Sequence, residues 1–559
     1  MDVKALLAKS ICLPNVSCEE VYSSIKKSDG VQADYALPCF RFAKTLGMPP
    51  QKIAENLVEN VKEGGIISRA QAVNGYFNLF LNREFFEKQV LEEIVADKLF
   101  DDTVGNGKTV CIDYSSINIA KPFHIGHLGT TAIGSALYKV YKALGYNVVG
   151  INHLGDWGTQ FGKLIVAYDL WGDKKAIDEG GVRALQEIYV RFHKEEETNP
   201  ALTDKAREWF AKIEKGDARA LELFEYFKKI TLDEVKQVYE RLNVTFDSWN
   251  GESFYNDKMQ PVLDFLAQKG LTEVSDGATV VNLDDFNMPP CLLVKADGAT
   301  LYATRDLAAA KYRHDTYDFD KCLYVVAYQQ NLHFKQFFKV LELAGFDWAN
   351  RMEHVAYGMV SLADGSMSTR KGNAVWLSDV LDKAVAKAKD IILQKNSELP
   401  NKDLVAEQVG VGAVIFSALA NGRIKDIVFD YDRVLNFDGE TAPYLQYTHA
   451  RCCSIITKAD ELDLSKADMK EINGEEAWEA VKLLNQFHDV LLAVTDKNEP
   501  SLLSNYLLDI AQAFNRFYLA NRVIDNRKTS HARLAVTVGI KKVLNKGLSL
   551  LGISAPEKM

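Results

Sequence analysis

The chain has 559 residues, too many for one hydrophobic core, so three or four domains are expected. With 47% apolar and 25% charged residues it has a soluble globular balance, and it contains no run of about 18 apolar residues of the kind that crosses a membrane. The formal net charge of −10 argues against a surface that is basic throughout, so any nucleic-acid affinity has to sit on local patches and be salt-sensitive. The N-terminus has no continuous apolar core of a signal peptide. The eight cysteines form no C-x-x-C pair and lie in apolar contexts, which suits a reduced cytosol and argues against a structural zinc.

Residues 1–105 read as a separate domain. Ala36-Leu37, Ile53-Ala54 and Leu57-Val58 lie in stretches read as helical, and 70–82 alternates polar and apolar residues as a strand does. A polar linker follows at 101–108. Val110-Cys111-Ile112 is a short apolar run, a buried strand. Pro122 pre-sets a helical start. Leu128, Ala132, Ala136, Leu137, Val140, Tyr141 and Leu144 fall at helical spacing, and Gly145 suits the residue after the helix. His124 and His127 sit about one turn apart where the helix opens, and Gly126 between them lets a ligand approach the backbone. A helix N-terminus offers free N–H groups and partial positive charge to a phosphate, and two imidazoles add donors for charge developing on it. An isolated H-x-x-H is more often a surface accident or half a metal site. The order strand, Pro, histidine pair and amphipathic helix turns the reading toward a nucleotide site.

Residues 148–151 read as a second parallel strand, followed by a Gly-rich turn, His153-Leu154-Gly155-Asp156-Trp157-Gly158. Strand, helix, strand suggests a Rossmann-like unit, whose ligands bind beyond the carboxyl ends of the strands. From 163 to about 270 the pattern is helical and highly charged, an insertion with solvated faces. Strand character returns at 279–283 and 291–294. Residues 292–304 read as a hairpin turning at Asp297-Gly298 into a helix, with Thr304 as N-cap. Tyr302 and Asp306, four apart, can face one pocket. Residues 324–327 are a further strand, with Gln330 at the start of the next helix, and 354–362 another. The basic cluster Met367-Ser368-Thr369-Arg370-Lys371 follows in a polar loop. Residues 383–422 form a helical connector, and a mostly helical region runs on to about 551. In it Tyr444, Gln446, Tyr447, His449 and Arg451 combine stacking faces, amides and charge that suit unpaired bases, although a helix packing face has the same composition.

His124-Ile125-Gly126-His127 resembles the HIGH signature of class I aminoacyl-tRNA synthetases, and with its flanks the chain resembles the arginyl-tRNA synthetases over nearly its whole length. The loop at 367–373 resembles the second signature, KMSKS, with Ser366 in place of the first lysine and Thr369 in place of the second. In that family a lysine just before HIGH is thought to supply the missing charge; here it is Lys121, with Arg370 and Lys371 as further cations. Ile117 and Gly129 also depart from the common pattern, and Gly129 leaves phosphate or tRNA contacts there open. The resemblance implies an α/β Rossmann-like catalytic domain at 106–385 with its insertion at 163–270, an N-terminal α+β domain at 1–105 that contacts the tRNA elbow, a connector at 386–435 and an all-α anticodon-binding bundle at 436–559.

It further implies ligation of L-arginine to tRNA(Arg) through an arginyl-adenylate, releasing AMP and pyrophosphate. His124, His127 and Lys121 would be catalytic, and Phe123, Gly126, Met367, Ser368, Arg370 and Lys371 would hold ATP. Asp113, Ser115, Asn118, Tyr302, Asp306 and Gln330 would line the arginine pocket, where carboxylates match a guanidinium bidentately. Magnesium would accompany ATP without a dedicated protein metal site. The chain is expected to be a cytoplasmic monomer without membrane contact. Two alternatives stay open: another class I synthetase or small nucleotidyltransferase lacking the paired acids, and a tRNA-binding paralogue without catalysis.

Overall fold

A computed structural model of the chain describes residues 1–559 except 29–32, 99–102, 363–374, 473 and 527. Met367, Ser368, Arg370 and Lys371 therefore lie outside the described residues. The chain divides into two compact units: Met1–Asp101 with 451–488 and 509–544, and Asp102–Ala450 with 489–508 and 545–559.

In the first unit a four-stranded antiparallel sheet runs in the order Lys26–Lys27, Tyr35–Pro38, Tyr76–Leu81, Ile67–Val73. Ile53, Ala54 and Leu57 of the helix Pro50–Asn60 are buried, as their spacing predicts. Ala36-Leu37 corrects the sequence reading. They lie in a strand, because Leu37 is buried opposite Phe77 and that pairing outweighs local helical preference. Residues 70–82 are not one strand but most of a hairpin, which turns at Asn74 and Gly75, both with positive φ as a tight hairpin requires. The helix Arg83–Val95 is capped by Asn82. It packs through Phe86 on Trp478 of the helix Glu475–Asn485, ring centroids 5.1 Å apart.

The second unit is built on a four-stranded parallel sheet in the order Met352–His354, Lys321–Tyr324, Thr109–Asp113, Asn147–Ile151. The chain leaves the central strand Thr109–Asp113 on one side and returns on the other. The gap beyond Asp113 and Tyr324 is thus the topological switch point where such sheets bind ligands. Cys111, Ile151, Cys322 and Tyr324 join Leu307, Phe337, Leu293 and Leu266 in one core. The helix Leu128–Ala143 is buried on nearly every face, consistent with its apolar composition. It lies so close to the sheet that a Cβ on Gly134 would stand 2.2 Å from the Cβ of Tyr114. Residues 159–268 are largely helical, as expected of the insertion.

Several boundaries differ from the sequence reading. The strand read at 324–327 is Lys321–Tyr324. Residues 354–362 split into the ends of two strands, Met352–His354 in the main sheet and Val360–Leu362 pairing with Ile427–Phe429. The helix read as capped by Thr304 begins at Tyr302, and the Thr304 hydroxyl instead donates to the Leu293 carbonyl at 2.7 Å. The helix Leu377–Lys395 runs unbroken past residue 385.

Replacing Gly134 by Ala forces the helix off Tyr114. Overpacking of this kind costs about 1–3 kcal/mol, and an equal denaturation midpoint for Gly134→Ala and wild type would contradict the packing described.

Candidate active site

The strand Thr109–Asp113 delivers its last residue to the switch point and the chain then turns sharply. Ser115, Ser116 and Ala120 have φ of +68°, +46° and +58°, a left-handed backbone that residues with a Cβ adopt only when neighbours hold them. The neighbours are visible. The Ser115 N–H donates to Thr130 Oγ1 at 2.9 Å, and the Ala120 N–H to Thr231 Oγ1 at 3.0 Å. The Ser115 hydroxyl bonds with Thr131 Oγ1 at 2.8 Å and the Tyr239 hydroxyl at 2.7 Å. Ser115 is therefore a buried brace, not the pocket-lining residue expected of it. Asn118 bridges in parallel to Gly155, where a Cβ would fall 2.5 Å from Asn118 Oδ1. Glycine is thus required in the His-Leu-Gly-Asp turn to bring it against this loop.

Asp113 also differs from expectation. Its Oδ2 accepts from Arg313 Nη2 at 2.6 Å and its Oδ1 from the Ser116 hydroxyl at 2.6 Å, all inside the protein. The guanidinium it binds is an internal one, so the carboxylate is not left open for a substrate.

The helix does not start at Pro122. A single 3₁₀ turn, Ile125–His127, precedes Leu128–Ala143, and His124 caps that turn. The Gly126 N–H donates to His124 Nδ1 at 3.1 Å, and the His124 N–H to His127 Nδ1 at 3.2 Å. His124 Nδ1 is thereby an acceptor, which leaves its Nε2–H as donor, whereas His127 Nδ1 lies 3.2 Å from the N–H and 3.3 Å from the carbonyl of His124. The ring centroids are 4.0 Å apart. Burial lowers the pKa of His124 to about 4 and of His127 to about 3, so both are neutral at physiological pH. Lys121 contributes to the depression at His127. It also lines a cavity of about 370 Å³ with Thr159, Gln160, Lys163 and Glu196 of the insertion. Phe123 is buried, with its ring 5.4 Å from His127 and 5.3 Å from Tyr239, and backs the histidines as a wall. Gly126 is buried in the 3₁₀ turn. A Cβ on Gly129 would meet the Tyr357 ring at 2.9 Å. The ring occupies the space into which a side chain at 129 would grow.

The histidine segment is also tied to the chain just after the second signature. The Ile125 N–H donates to the Val375 carbonyl at 3.0 Å, and the Leu377 N–H to the Phe123 carbonyl at 2.9 Å.

Beside this edge lies an acidic pocket. Asp306 Oδ2 is 2.7 Å from His333 Nε2, and the half-exposed Tyr302 places its ring 5.0 Å from the same histidine. Gln330 is exposed at the end of the 3₁₀ turn Tyr328–Gln330, immediately before the helix that carries His333. The pocket has a second acid that the sequence reading missed. Glu252 opens the turn Glu252–Lys258, and its N–H donates to the Leu154 carbonyl at 2.9 Å. The adjoining Asp156 is fully buried. It binds Lys228 Nζ at 2.7 Å, the Ser253 N–H at 2.9 Å and the Ser253 hydroxyl at 2.8 Å. The His-Leu-Gly-Asp turn thus aims Glu252. Burial pushes the Glu252 carboxyl up to about 7; Arg305, at 3.5 Å, pulls it down, and Asp306 and Asp156 push it up. His153 is buried nearby, its pKa lowered by burial, and its Nδ1 has no hydrogen-bond partner among the described residues. A glutamate following the Asn250-Gly251 break in a charged stretch was the only sequence signal for Glu252.

On the helix Ala442–Lys458 the five residues read as base contacts separate. Gln446 and His449 are buried. Gln446 Nε2 donates to the carbonyls of Gln408 at 2.9 Å and Ser554 at 2.8 Å, and His449 Nδ1 lies 3.0 Å from the Pro556 carbonyl. Both are packing residues, because a side chain buried inside the protein cannot read a base. Tyr447 is 51% exposed and Tyr444 is partly buried. Arg451 lies 4.5 Å over the Tyr518 ring and donates to Asn515 Oδ1 at 3.3 Å.

The sheet edge thus carries two neutral imidazoles near two acids, Glu252 and Asp306. Residues 89–431 match the family "tRNA synthetases class I (R), catalytic domain", 445–559 the "DALR anticodon binding domain" and 2–81 the "Arginyl tRNA synthetase N terminal domain". The chain belongs to the class I aminoacyl-tRNA synthetases. The arginine–tRNA ligase of Alkaliphilus metalliredigens is 49% identical over 94% of each chain. That of Clostridioides difficile is 47% identical over 98% of this chain and 97% of its own. The Thermus thermophilus arginyl-tRNA synthetase structure superposes with a TM-score of 0.78 at 26% identity, covering 96% of both chains. Within the class, the chain is a member of the arginine–tRNA ligase family.

Removing the internal guanidinium strands a buried carboxylate. Arg313→Met is expected to lose about 3–5 kcal/mol in denaturant unfolding, and adding Asp113→Asn to recover most of it. A stable Arg313→Met single variant would show that the pair is not load-sharing.

Proposed function

We propose that this chain activates L-arginine with ATP and transfers the arginyl group to tRNA(Arg) at the edge built by His124, His127, Lys121, Glu252 and Asp306. As an arginine–tRNA ligase it uses ATP, arginine and tRNA. A carboxylate oxygen of arginine attacks the α-phosphorus, the bond to the bridging oxygen breaks, and pyrophosphate leaves with the electron pair. The ribose hydroxyl at the tRNA end then attacks the adenylate carbonyl and expels AMP. The observation that carries this reading is the pair of buried, neutral imidazoles 4.0 Å apart where the helix opens, with His124 Nδ1 held by the Gly126 N–H so that its Nε2 carries the donor N–H. Such donors act by preorganised electrostatics on phosphate oxygens. Lys121 adds the cation, and its charge is felt at both His127 and Glu252. Magnesium enters with ATP as part of the substrate.

Glu252 and Asp306 take the guanidinium, with Tyr302, Gln330 and Asn118 at the rim. Lysine cannot satisfy two carboxylates through one fork, and an acid left unpaired in a desolvated site costs about 2–5 kcal/mol. Tyr447, with its exposed ring, is the best placed of the helix residues to stack on a base, and Arg451 adds charge. The same reading has the chain working as a cytoplasmic monomer, since every group assigned to the chemistry comes from one chain.

ATP–pyrophosphate exchange tests the reaction. With tRNA(Arg) present, arginine is expected to support exchange and lysine not to, and the same assay without tRNA shows whether activation needs it. His124→Ala is expected to lower the exchange rate about 100- to 1000-fold with little change in arginine affinity. Exchange with neither amino acid, with tRNA still bound, would favour a binding protein. The pH dependence tests Glu252. Its carboxyl, raised to about 7, must ionise to hold a guanidinium, so KM for arginine is expected to fall as pH rises from about 6 to about 8. Glu252→Gln should raise KM and flatten that dependence; an unchanged slope would remove Glu252 from the pocket.

A further inference from the structure

Away from the sheet edge, the first unit contains a cavity of about 560 Å³, within the range of small-molecule sites. It lies at the start of the helix Arg83–Val95 and is walled by Asp34, Arg69, Phe80, Arg83, Glu87 and Lys470. Glu87 is the unusual member. The residue is 1% exposed, yet its Oε1 has no hydrogen-bond partner among the described residues. A buried carboxyl oxygen without a partner is costly and rare. The surrounding charges explain what is missing. Arg83 is 2.7 Å from Glu475, with its guanidinium 5.0 Å from the Trp478 ring centroid, so it is turned to another acid. Asp34 Oδ2 accepts the Leu81 N–H at 2.8 Å. Arg69 lies 3.9 Å over the Phe80 ring, and neither it nor Lys470 forms an ion pair with an acid among the described residues. The lining of the cavity therefore combines an unsatisfied buried carboxyl with two cations and a further acid, Glu84.

We propose that this cavity binds a free amino acid or a similar small zwitterion, with its cationic group on Glu87 and its carboxylate on Arg69 and Lys470. Two charge-assisted contacts at opposite ends of one molecule would satisfy the orphaned oxygen and fix the ligand's direction. Protonation supports the assignment. Burial raises the Glu87 carboxyl to about 8, Arg83 pulling it down and Glu84 pushing it up. The empty site is thus mostly neutral at pH 7, and a bound cation drives ionisation and releases a proton. The groups facing Glu87 are Arg83 and Glu84 on its own helix, Asp34 and Arg69 from the sheet side, and Lys470 from the turn Met469–Ile472.

The probe is labelled L-arginine, measured by equilibrium dialysis on the full chain without ATP. Glu87→Gln keeps the packing and is expected to reduce the number bound by one per chain, while Asp306→Ala, in the pocket assigned to the reaction, removes a different one. Arg69→Met, on the exposed face of the strand, should weaken the Glu87-dependent event. Agmatine, which has the guanidinium without the carboxylate, should bind at that site at least about tenfold more weakly than arginine. Calorimetry of Asp306→Ala in buffers of different ionisation enthalpy should show proton release near pH 7. An unchanged stoichiometry in Glu87→Gln, or agmatine binding as tightly as arginine, would overturn the proposal. Loss of one site in Glu87→Gln but none in Asp306→Ala would leave this site standing and remove Asp306 from the arginine pocket.

Discussion

The buried ion pair between Asp113 and Arg313 sits where the parallel sheet reverses its strand order, and the geometry of the catalytic edge follows from it. Such a pair adds little net stability, because stripping water from both charges offsets most of their attraction. Its effect is positional. Asp113 ends the central strand, and its free oxygen takes the hydroxyl of Ser116, which stands in a left-handed backbone. The loop from Ser115 to Ala120 is then bound by Thr130, Thr131, Tyr239 and Thr231. Those threonines and the tyrosine belong to the helix after the histidines and to the insertion. A strand end, a helix and an inserted helical layer are thus cross-linked through hydroxyl groups, and the histidine turn follows from that frame.

Electrostatics at the edge is arranged by neutral donors more than by cations. Among the described residues, the helix N-terminus, two neutral imidazoles and Lys121 place several donors and one cation at this edge. Burial is what keeps the imidazoles neutral, so their donor capacity does not depend on pH over the physiological range.

How much of this was legible in the sequence depended on how local the determining interaction is. The strand, histidine turn and helix were readable because apolar spacing and a tight histidine pair are local signals. The helix start was displaced from Pro122 to Ile125 because the intervening residues are committed to pairing with Val375 and Leu377. Ala36-Leu37 was misread since a strand partner, Phe77, decided its conformation. Asp113 was recognised as an acid needing a partner, but nothing near it in sequence disclosed that the partner is Arg313, 200 positions on. Gln446 and His449 carry the side chains of a base reader, and only burial shows that they are spent on carbonyls of their own chain. Glu252 escaped notice for the opposite reason. It follows a long charged helix, and its importance comes from Asp156 and Leu154, which fold back onto its turn.

The acid pair explains how a pocket can be specific for a guanidinium without being unstable when empty. A carboxyl stripped of water rises toward neutrality, and a neighbouring acid adds to the rise. Glu252 does so, and Arg305 at 3.5 Å supplies partial compensation while Asp306 keeps the imidazole of His333 as its partner. A substrate has to deliver a cation with enough directed donors to ionise Glu252 and still reach Asp306. A planar fork with five donors can do both at once, whereas a single ammonium satisfies one acid and leaves the other unpaired. On the proposed assignment, discrimination comes from the ionisation of Glu252, whose position rests on the same turn, His153 to Gly158, that packs the insertion against the catalytic loop.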